Sequence, residues 1–313
     1  MSIENRLVTL VGGGGFLGRY AARALLKAGA RVRIAERDPR RAWYLKPQGG
    51  LGQMQFAAAD VRKPESLARA LQGSDAVVNL VGILKGDFQA LHVDGAANVA
   101  AAAADAGASV LVQISAIGAD PESPSAYGRS KGEGEAKVRA AFPEATILRP
   151  SIIFGREDGF VNRFAGLIGL PVVPIIRGPV KFQPVYVGDV ARAILAALSD
   201  PAAHAGKTYE LGGPDVLTMA ELNHWIAAET GRNPAFVELP DAAAAAMARL
   251  VGWAPGAPMT WDQWLMLQQD NVVTPGAAGL ADLGVGATPL AAVAPGWLVQ
   301  YRRHGRFGRK SAA

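Results

Sequence analysis

The sequence predicts an α/β fold in which helices cover both faces of a parallel sheet. In the first half of the 313-residue chain, short apolar runs alternate with helical patterns, starting with a strand at residues 7–11 and a helix at residues 16–28. Short apolar runs between helices are typical of buried parallel strands, and repeated β-α units imply right-handed crossovers. A glycine-rich turn joins the first strand directly to the first helix. Together these features predict a doubly wound parallel sheet of the Rossmann type.

The other elements continue this alternation up to residue 155. We predict strands at residues 32–35, 54–57, 75–81, 110–114 and 146–148, and helices at residues 64–71, 91–106 and 126–141. Beyond residue 155, we predict strands at residues 185–187 and 209–211, a helix at 190–198 capped by Asp189, a helix capped by Thr218 that ends at residue 229, and helices at 241–251 and 260–270. We therefore assign residues 1–155 to a dinucleotide-binding domain, to which residues 183–215 partly return, and residues 156–313 to a smaller C-terminal lobe.

The composition excludes several kinds of site. The chain has no cysteine, so it has no disulfide, thiolate metal site or cysteine nucleophile. Its four histidines are scattered without metal-binding spacing, and we expect no metal. No apolar run approaches the length that spans a bilayer, and we see no signal peptide. We expect a cytoplasmic protein, with peripheral attachment to the inner face of the membrane as an open alternative.

The net charge of +5 is concentrated at the C-terminus. Residues 301–313 contain five basic residues and no acid, whereas residues 1–300 contain 27 of each sign. Trp297, Tyr301 and Phe307 are interleaved with these charges. Two interpretations stay open: a solvated, frayed terminus, or attachment to an anionic surface, where each basic residue contributes about 1 kcal/mol. Nothing else in the chain resembles a nucleic-acid-binding module, so we expect no nucleic acid partner.

The glycine-rich turn predicts a pyrophosphate site. Gly12, Gly15 and Gly18 have the spacing G-x-x-G-x-x-G, with Phe16 and Leu17 opening the helix. A strand that turns at once into a helix leaves backbone N–H groups free at the helix start, where the helix dipole favours an anion. Glycine allows the backbone to approach the phosphates. We therefore predict that these five residues bind a dinucleotide.

A second group of candidate residues lies on the helix at residues 126–141. Tyr127 and Lys131 are four residues apart, so they lie on one face of that helix. An ammonium beside a phenol favours the phenolate and is expected to lower the tyrosine pKa. The lysine can also bond the ribose hydroxyls of a nicotinamide cofactor, while the phenol gives or takes a proton as hydride moves.

The end of the second strand bears on the choice of cofactor. Glu36 lies 18 residues after Gly18, close to the position of an acid that binds a ribose 2′-OH, which favours NAD(H). Arg37, Arg40 and Arg41 form a guanidinium cluster suited to a 2′-phosphate, which favours NADP(H), although Arg40 and Arg41 are also explained as plain surface charge. Because three arginines face one glutamate, we predict NADP(H), with NAD(H) as the alternative.

The glycine motif with Tyr127-x-x-x-Lys131 resembles the short-chain dehydrogenase/reductase superfamily, in its extended or atypical, NAD-dependent epimerase/dehydratase-like branch. The resemblance covers most of the chain. It implies cofactor contacts by three further segments, which contain Asp60 and Val61, Val81 and Gly82, and Pro150 and Ile153. The segment Val187-Gly188-Asp189-Val190 is similar to the superfamily's V-x-D-V.

One position departs from the superfamily pattern. The third catalytic residue of the superfamily is a Ser or Thr just past the fifth strand, and the matching position lies near Ile117, which can neither donate nor accept a side-chain hydrogen bond. Ser115 is our candidate substitute, with Ser123 and Ser125 as alternatives. These serines are equally well explained as residues that satisfy turns. A missing donor costs a few kcal/mol of transition-state stabilisation, roughly as in oxyanion-hole deletions.

The C-terminal half resembles one subfamily, the group of the alpha-subcomplex subunit nine of respiratory complex I and its bacterial relatives. The resemblance rests on residues 182–190, 262–273 and 297–307. It implies tightly held NADP(H), no required turnover, and a peripheral place on a membrane complex that is contacted through the C-terminal lobe and basic tail. For Trp261, Trp264 and Trp297, we favour packing over stacking on a ligand ring.

Three functional hypotheses follow. The first is a nucleotide-binding accessory or assembly subunit of respiratory complex I with weak or no turnover. The alternative is an active reductase, epimerase or dehydratase acting on a sugar nucleotide or a small carbonyl compound, which the Tyr127 and Lys131 pair favours. A redox-sensing regulator ranks last, because the chain shows no DNA-binding module.

Overall fold

The computed structural model describes residues 3–254 and 257–307, which form two compact units. The first unit contains residues 3–150, 187–211 and 274–286. The second contains residues 151–186, 212–254, 257–273 and 287–307. The sequence placed the first boundary at residue 155, whereas the first unit ends at residue 150. The segment 274–286, which we assigned to the smaller lobe, belongs to the first unit.

The strands are short, as expected for a sheet built from single apolar runs. They are β1 (Leu7–Val11), β2 (Arg31–Glu36), β3 (Met54–Ala58), β4 (Ala76–Asn79), β5 (Val110–Ile114), β6 (Thr146–Pro150), β7 (Ile153–Phe154), β8 (Val172–Ile176), β9 (Lys181–Phe182), β10 (Val185–Tyr186), β11 (Thr208–Leu211), β12 (Leu217–Thr218) and β13 (Ala235–Leu239).

The helices follow in the same chain order. They are α1 (Phe16–Lys27), α2 (Pro64–Leu71), α3 (Asp94–Asp105), α4 (Ala126–Ala141), α5 (Val161–Leu167), α6 (Val187–Ser199), α7 (Pro201–His204), α8 (Met219–Thr230), α9 (Asp241–Val251), α10 (Trp261–Met266), α11 (Leu290–Val293) and α12 (Pro295–Leu298). Within the described ranges, none of these helices is long and apolar enough to cross a membrane.

The first unit is built on a parallel sheet with the strand order β11-β6-β5-β4-β1-β2-β3. The chain starts at β1 in the interior of the sheet, runs outward through β2 to β3, and then returns to β4 on the other side of β1. Helix α1 packs with α6, and α3 packs with α2 and α4. This arrangement confirms the predicted doubly wound α/β fold.

Burial explains why the central strands are mostly apolar, with the buried polar residues Thr9 and Gln113 hydrogen-bonded to Ser74 and Asn79. Every residue of β1 and of β5 is buried, as expected for parallel strands covered on both faces. Close backbone packing holds α4 in place. A Cβ atom on Gly134 of that helix would lie 2.1 Å from the carbonyl oxygen of His92, so only glycine fits there.

The second unit has a mixed architecture of small sheets and helices. Strand β13 pairs in parallel with β8, and β12 pairs antiparallel with β9. Its largest apolar cluster includes the buried side chains of Phe154, Ile226 and Trp297. Helix α8 begins with a capping box between Thr218 and Glu221, so the predicted cap is present.

The start of the basic tail is docked on the second unit. Trp297 is buried, and the Tyr301 hydroxyl donates a hydrogen bond to Asn162 Oδ1 at 3.0 Å. The Arg302 guanidinium donates to the carbonyl of Glu229 at 3.3 Å. The chain is therefore not frayed through residue 302, whereas Arg309 and Lys310 lie outside the described residues.

Two local expectations were wrong. Asp189 does not cap a helix, because α6 begins at Val187 and places Asp189 inside its first turn, where the buried carboxylate pairs with Arg192 at 2.8 Å. The helix expected at residues 91–106 is divided: residues 89–93 form a π-helical turn, and α3 starts only at Asp94.

Candidate dinucleotide site

A cavity of about 360 Å³ opens at the carboxyl edge of the first unit's sheet, next to the ends of β4, β1, β2 and β3. This is the edge at which doubly wound sheets bind ligands, and the volume is typical of small-molecule pockets. Its lining contains most of the predicted cofactor residues: Gly12, Gly15, Phe16, Leu17, Gly18, Glu36, Arg37, Asp60, Val61, Val81 and Gly82. Val11, Ala35, Ala59, Leu80, Ile83 and Leu91 complete it.

The three motif glycines differ in how strictly the surrounding chain requires glycine. Gly12 has a φ of +78°, a left-handed conformation that side chains rarely adopt. A Cβ on Gly18 would lie 2.2 Å from the carbonyl oxygen of Gly13, so glycine is needed for helix and loop to pack. A Cβ on Gly15 would meet only the Gly12 oxygen, at 3.5 Å, which is an ordinary contact. Among the described residues, no contact therefore demands glycine at position 15, and Gly15 lines the cavity.

Two side chains hold the glycine-rich turn in place through hydrogen bonds to the backbone of Gly14. Glu36 Oε1 accepts a hydrogen bond from the Gly14 N–H at 2.8 Å, and the Tyr44 hydroxyl donates to the Gly14 carbonyl at 2.9 Å. The Arg19 guanidinium lies 4.8 Å from the centre of the Tyr44 ring. One carboxylate oxygen of Glu36 is therefore committed to the loop. Sequence reasoning missed Tyr44, because its contact depends on how residues 39–48 fold back on the glycine turn.

The charged residues near β2 and β3 differ in whether they line the cavity and whether they are already paired. Arg37 lines the cavity and is exposed, whereas Arg41 is exposed in the 3-10 segment Pro39–Gln48 and is not among the lining residues. Arg62 lies 2.6 Å from the Asp60 carboxylate, and the hydrogen bond between them lowers the Asp60 pKa to about 2. Asp60 is therefore ionised at neutral pH, and its carboxylate is already paired.

Tyr127 and Lys131 lie on one face of α4, as predicted, but their electrostatics differ from expectation. The Lys131 ammonium is 5.9 Å from the centre of the Tyr127 ring and donates to the carbonyl of Ile114 at 3.4 Å. Burial raises the pKa of Tyr127 to about 12 and lowers the pKa of Lys131 to about 8. The expected lowering of the tyrosine pKa is therefore wrong, because loss of solvent outweighs the nearby ammonium.

Sequence reasoning also missed a buried histidine beside this pair. His92 Nε2 accepts a hydrogen bond from the Ile83 N–H at 3.0 Å, so its other ring nitrogen, 2.9 Å from Ser130 Oγ, carries the proton. The ring meets the Tyr127 ring edge-to-face, with centroids 5.5 Å apart. Burial lowers the His92 pKa to about 3, which keeps the ring neutral. His92 thus connects the cavity wall at Ile83 to the helix that carries Tyr127.

The remaining candidates are not gathered at the cavity lining. Ser115 is buried, and its hydroxyl has no hydrogen-bond partner among the described residues. Ile117 is buried and donates its N–H to the carbonyl of Pro150, which ends β6. Ser125 is occupied as the cap of α4, since it accepts from the Gly128 N–H at 3.2 Å. Ile153 begins β7 in the second unit.

A match to a known family covers the part of the chain that forms this sheet. The model of the NAD dependent epimerase/dehydratase family matches residues 8–212, which include the glycine turn, the cavity lining and α4. The chain belongs to this family. The match confirms the superfamily that the glycine and tyrosine-lysine motifs predicted.

Relatives within the family differ in function. Subunit 9 of the NADH dehydrogenase [ubiquinone] 1 alpha subcomplex of mouse mitochondria is 37% identical over 298 residues, which cover 92% of this chain and 78% of the mouse protein. The ceramide reductase of Caulobacter vibrioides is 31% identical over 244 residues, covering 75% of this chain and 74% of that enzyme. The predicted likeness to the subunit nine group is confirmed.

A solved structure supports the same fold. The NADPH-dependent quinone oxidoreductase QOR2 of Escherichia coli, crystallised with NADPH, superposes with a TM-score of 0.74 at 25% identity, covering 91% of this chain and 97% of that enzyme. A Rossmann-type NAD(P)-binding architecture is thus shared by this chain and a protein that holds NADPH.

Proposed function

We propose that this protein is an NADP(H)-binding accessory or assembly subunit of respiratory complex I, peripheral on the inner face of the membrane, with weak or no turnover. The observation that carries the proposal is the 37% identity to a complex I subunit across 92% of the chain, since that span includes most of the second unit as well as the nucleotide fold. The cavity lining supports bound dinucleotide, because the surface at Gly15 is left open for a ligand.

The contacts of the charged side chains at the end of β2 support a preference for NADP(H) over NAD(H). Glu36 commits one carboxylate oxygen to Gly14, which weakens it as a ligand for both ribose hydroxyls. Arg37 lines the cavity and has no salt-bridge partner among the described residues, so its guanidinium is available for a 2′-phosphate. Exposed Arg41 adds a second positive charge on the neighbouring segment. Arg37→Gln is therefore expected to weaken NADPH binding more than NADH binding.

Weak turnover is supported by the surroundings of the tyrosine. Bound NADP(H) would supply the hydride for any chemistry here. On the protein side, the Tyr127 pKa of about 12 keeps the phenol protonated and makes it a weaker acid than a free phenol, so it is a poor donor of the proton that a carbonyl oxygen takes up with the hydride. The position where the superfamily places its hydroxyl donor is near Ile117, which is buried and apolar. Retaining the dinucleotide requires neither group to act.

Pull-down of the tagged full-length protein from native membranes at low salt tests the proposal. We expect complex I subunits to be recovered, and a Gly18→Asp variant to show whether recovery requires the nucleotide site. Recovery of no complex I subunit at low salt would refute association with the complex. Recovery that is equal for the two proteins would mean that docking does not depend on the bound nucleotide.

A second candidate is an active NAD(P)-dependent reductase, epimerase or dehydratase acting on a sugar nucleotide or a small carbonyl compound. Two observations favour it: Tyr127 and Lys131 retain the family spacing on one helix face, and the buried Ser115 hydroxyl has no partner in the described chain. NADPH oxidation across a carbonyl panel tests the reductase. Because an epimerase or a dehydratase regenerates its cofactor in each turnover, product analysis across a panel of sugar nucleotides tests those two activities. Turnover should vanish in Tyr127→Phe but persist in Tyr301→Phe, a phenol of the second unit. No turnover with any substrate would remove this candidate.

A further inference from the structure

One stretch of the second unit is almost without charge. Between Asp241 and Asp262, the 20 residues 242–261 contain a single charged side chain, Arg249. Eight of these residues are alanine, and the rest include leucine, valine, methionine and two tryptophans. Carboxylates, which would repel an anionic surface, are therefore confined to the ends of this segment.

Part of this segment is not used for packing. Only Ala244 and Ala248 of α9 are buried, against Met259 and Trp264. At the C-terminal end of the helix, large apolar side chains point away from that cluster: Leu250 is 72% exposed, and Trp253 is 77% exposed. With the exposed Val251 and Trp261 they form a surface that we call the apolar tip. Clustered exposed apolar side chains mark an interaction surface, whereas isolated ones need no explanation.

The most exposed indole of the apolar tip has a hydrogen-bond partner within the chain, and a cation lies beside the other indole. The Trp253 indole N–H donates a hydrogen bond to the carbonyl of Leu250 at 2.9 Å. The ring can therefore move from water into an apolar environment while its N–H keeps a hydrogen-bond partner. The Arg249 guanidinium lies 5.7 Å from the centre of the Trp261 ring. Asp241, at the far end of α9, is paired with Arg177. The only charge offered by the tip is thus a cation resting on an exposed indole.

We propose that the apolar tip docks the protein on an anionic phospholipid bilayer. Leu250 and Trp253 would enter the interface between headgroups and acyl chains, where indoles are favoured, and Arg249 would extend its guanidinium to the lipid phosphates. Arg249 is the single charged side chain between Asp241 and Asp262, and a cation amid exposed apolar side chains suits a continuous anionic surface. The inference deepens the proposed membrane-peripheral function and rests on it, because it names the surface through which a bilayer is contacted.

Sedimentation of the full-length protein with vesicles tests this docking. Vesicles of phosphatidylcholine with phosphatidylglycerol should bind the protein. The variant Leu250→Gln/Trp253→Ala should bind about tenfold or more weakly, because the two side chains each bury enough apolar surface to account for such a factor. Leu51→Gln is the matched control, since Leu51 is a fully exposed leucine of the first unit. Arg249→Gln should weaken binding to anionic vesicles but not to vesicles of phosphatidylcholine alone.

Depth-dependent quenching by brominated acyl chains locates the contact. Tryptophan fluorescence of the bound protein should be quenched, and most of the quenching should disappear in Trp253→Phe but persist in Trp43→Phe, an exposed tryptophan of the first unit. It should also persist in Arg309→Gln/Lys310→Gln, which separates the tip from the basic tail.

Several results would overturn the proposal. One is equal vesicle binding by Leu250→Gln/Trp253→Ala and Leu51→Gln. Another is a concentration-dependent dimer that only the tip variant loses, which would assign the tip to a second copy of the chain. Loss of complex I recovery by the tip variant without any vesicle binding would assign the tip to a protein partner while the proposed function stands. NADPH binding measured on each variant shows whether the first unit is intact.

Discussion

Alanine should destabilise the protein much more at Gly18 than at Gly15. At Gly18 the new methyl would lie 2.2 Å from the oxygen and 2.5 Å from the carbon of the Gly13 carbonyl, so loop and helix must separate by about 1 Å to restore van der Waals contact. Overpacking of this kind costs about 1–3 kcal/mol. At Gly15 the nearest atom is 3.5 Å away, so a methyl group meets no steric barrier. Gly15→Ala should lower the free energy of unfolding by only about 0.5–1 kcal/mol, the preference for glycine over alanine at a helix N-cap.

Both substitutions should weaken dinucleotide binding, because both alter the phosphate loop. Thermal unfolding with and without NADPH measures the two effects together. Each kcal/mol lowers the melting temperature by roughly 2–4 °C in a domain of this size. We expect Gly18→Ala to lower the melting temperature of the free protein clearly more than Gly15→Ala does. Neither variant should be stabilised by NADPH as the unsubstituted protein is. Normal stabilisation of Gly15→Ala by NADPH would refute the claim that the dinucleotide binds beside Gly15. An unchanged melting temperature for free Gly18→Ala would refute the claim that Gly18 packs too closely on Gly13 to admit a methyl group.

Two further predictions concern buried charges. Lys131 has its pKa lowered to about 8 by burial, so between pH 8 and pH 10 the unfolded chain binds a proton there that the folded chain does not. Its contribution to the free energy of unfolding should therefore rise with pH over this range. Urea denaturation at several pH values should show a smaller rise for Lys131→Met, and parallel curves would contradict the assignment. Arg149 pairs with Glu135 at 2.7 Å and lies 3.6 Å from Glu210, both of which are buried. Arg149→Met should lower the free energy of unfolding by about 3–5 kcal/mol, because it leaves two buried carboxylates without their cation. Urea denaturation measures this loss, and a value below about 1 kcal/mol would show that these ion pairs do not stabilise the fold.

The local parts of the fold could be predicted from the sequence. Strand β1, the glycine turn and α1 are encoded within a stretch of about twenty residues, and helix periodicity alone places Tyr127 and Lys131 on one face. The capping box at Thr218 is likewise a local pattern. These features need no knowledge of distant segments.

The features that were missed depend on distant contacts. Tyr44 reaches Gly14 across 30 residues, and His92 reaches Ser130 across 38, so no periodicity indicates either. The direction of the Tyr127 pKa shift depends on burial by the folded chain, which a motif does not encode. The parallel pair of β8 and β13 joins segments about 60 residues apart, and Pro174 interrupts the usual strand pattern of β8.

The central claim is that the cavity beside Gly15 and Arg37 holds NADP(H). Mass spectrometry of the purified protein, denatured to release anything bound in it, tests this claim most directly. We predict NADP(H) at close to one molecule per chain, and its loss from Gly18→Asp prepared in parallel. Release of NAD(H) alone, or of no dinucleotide, would contradict the account.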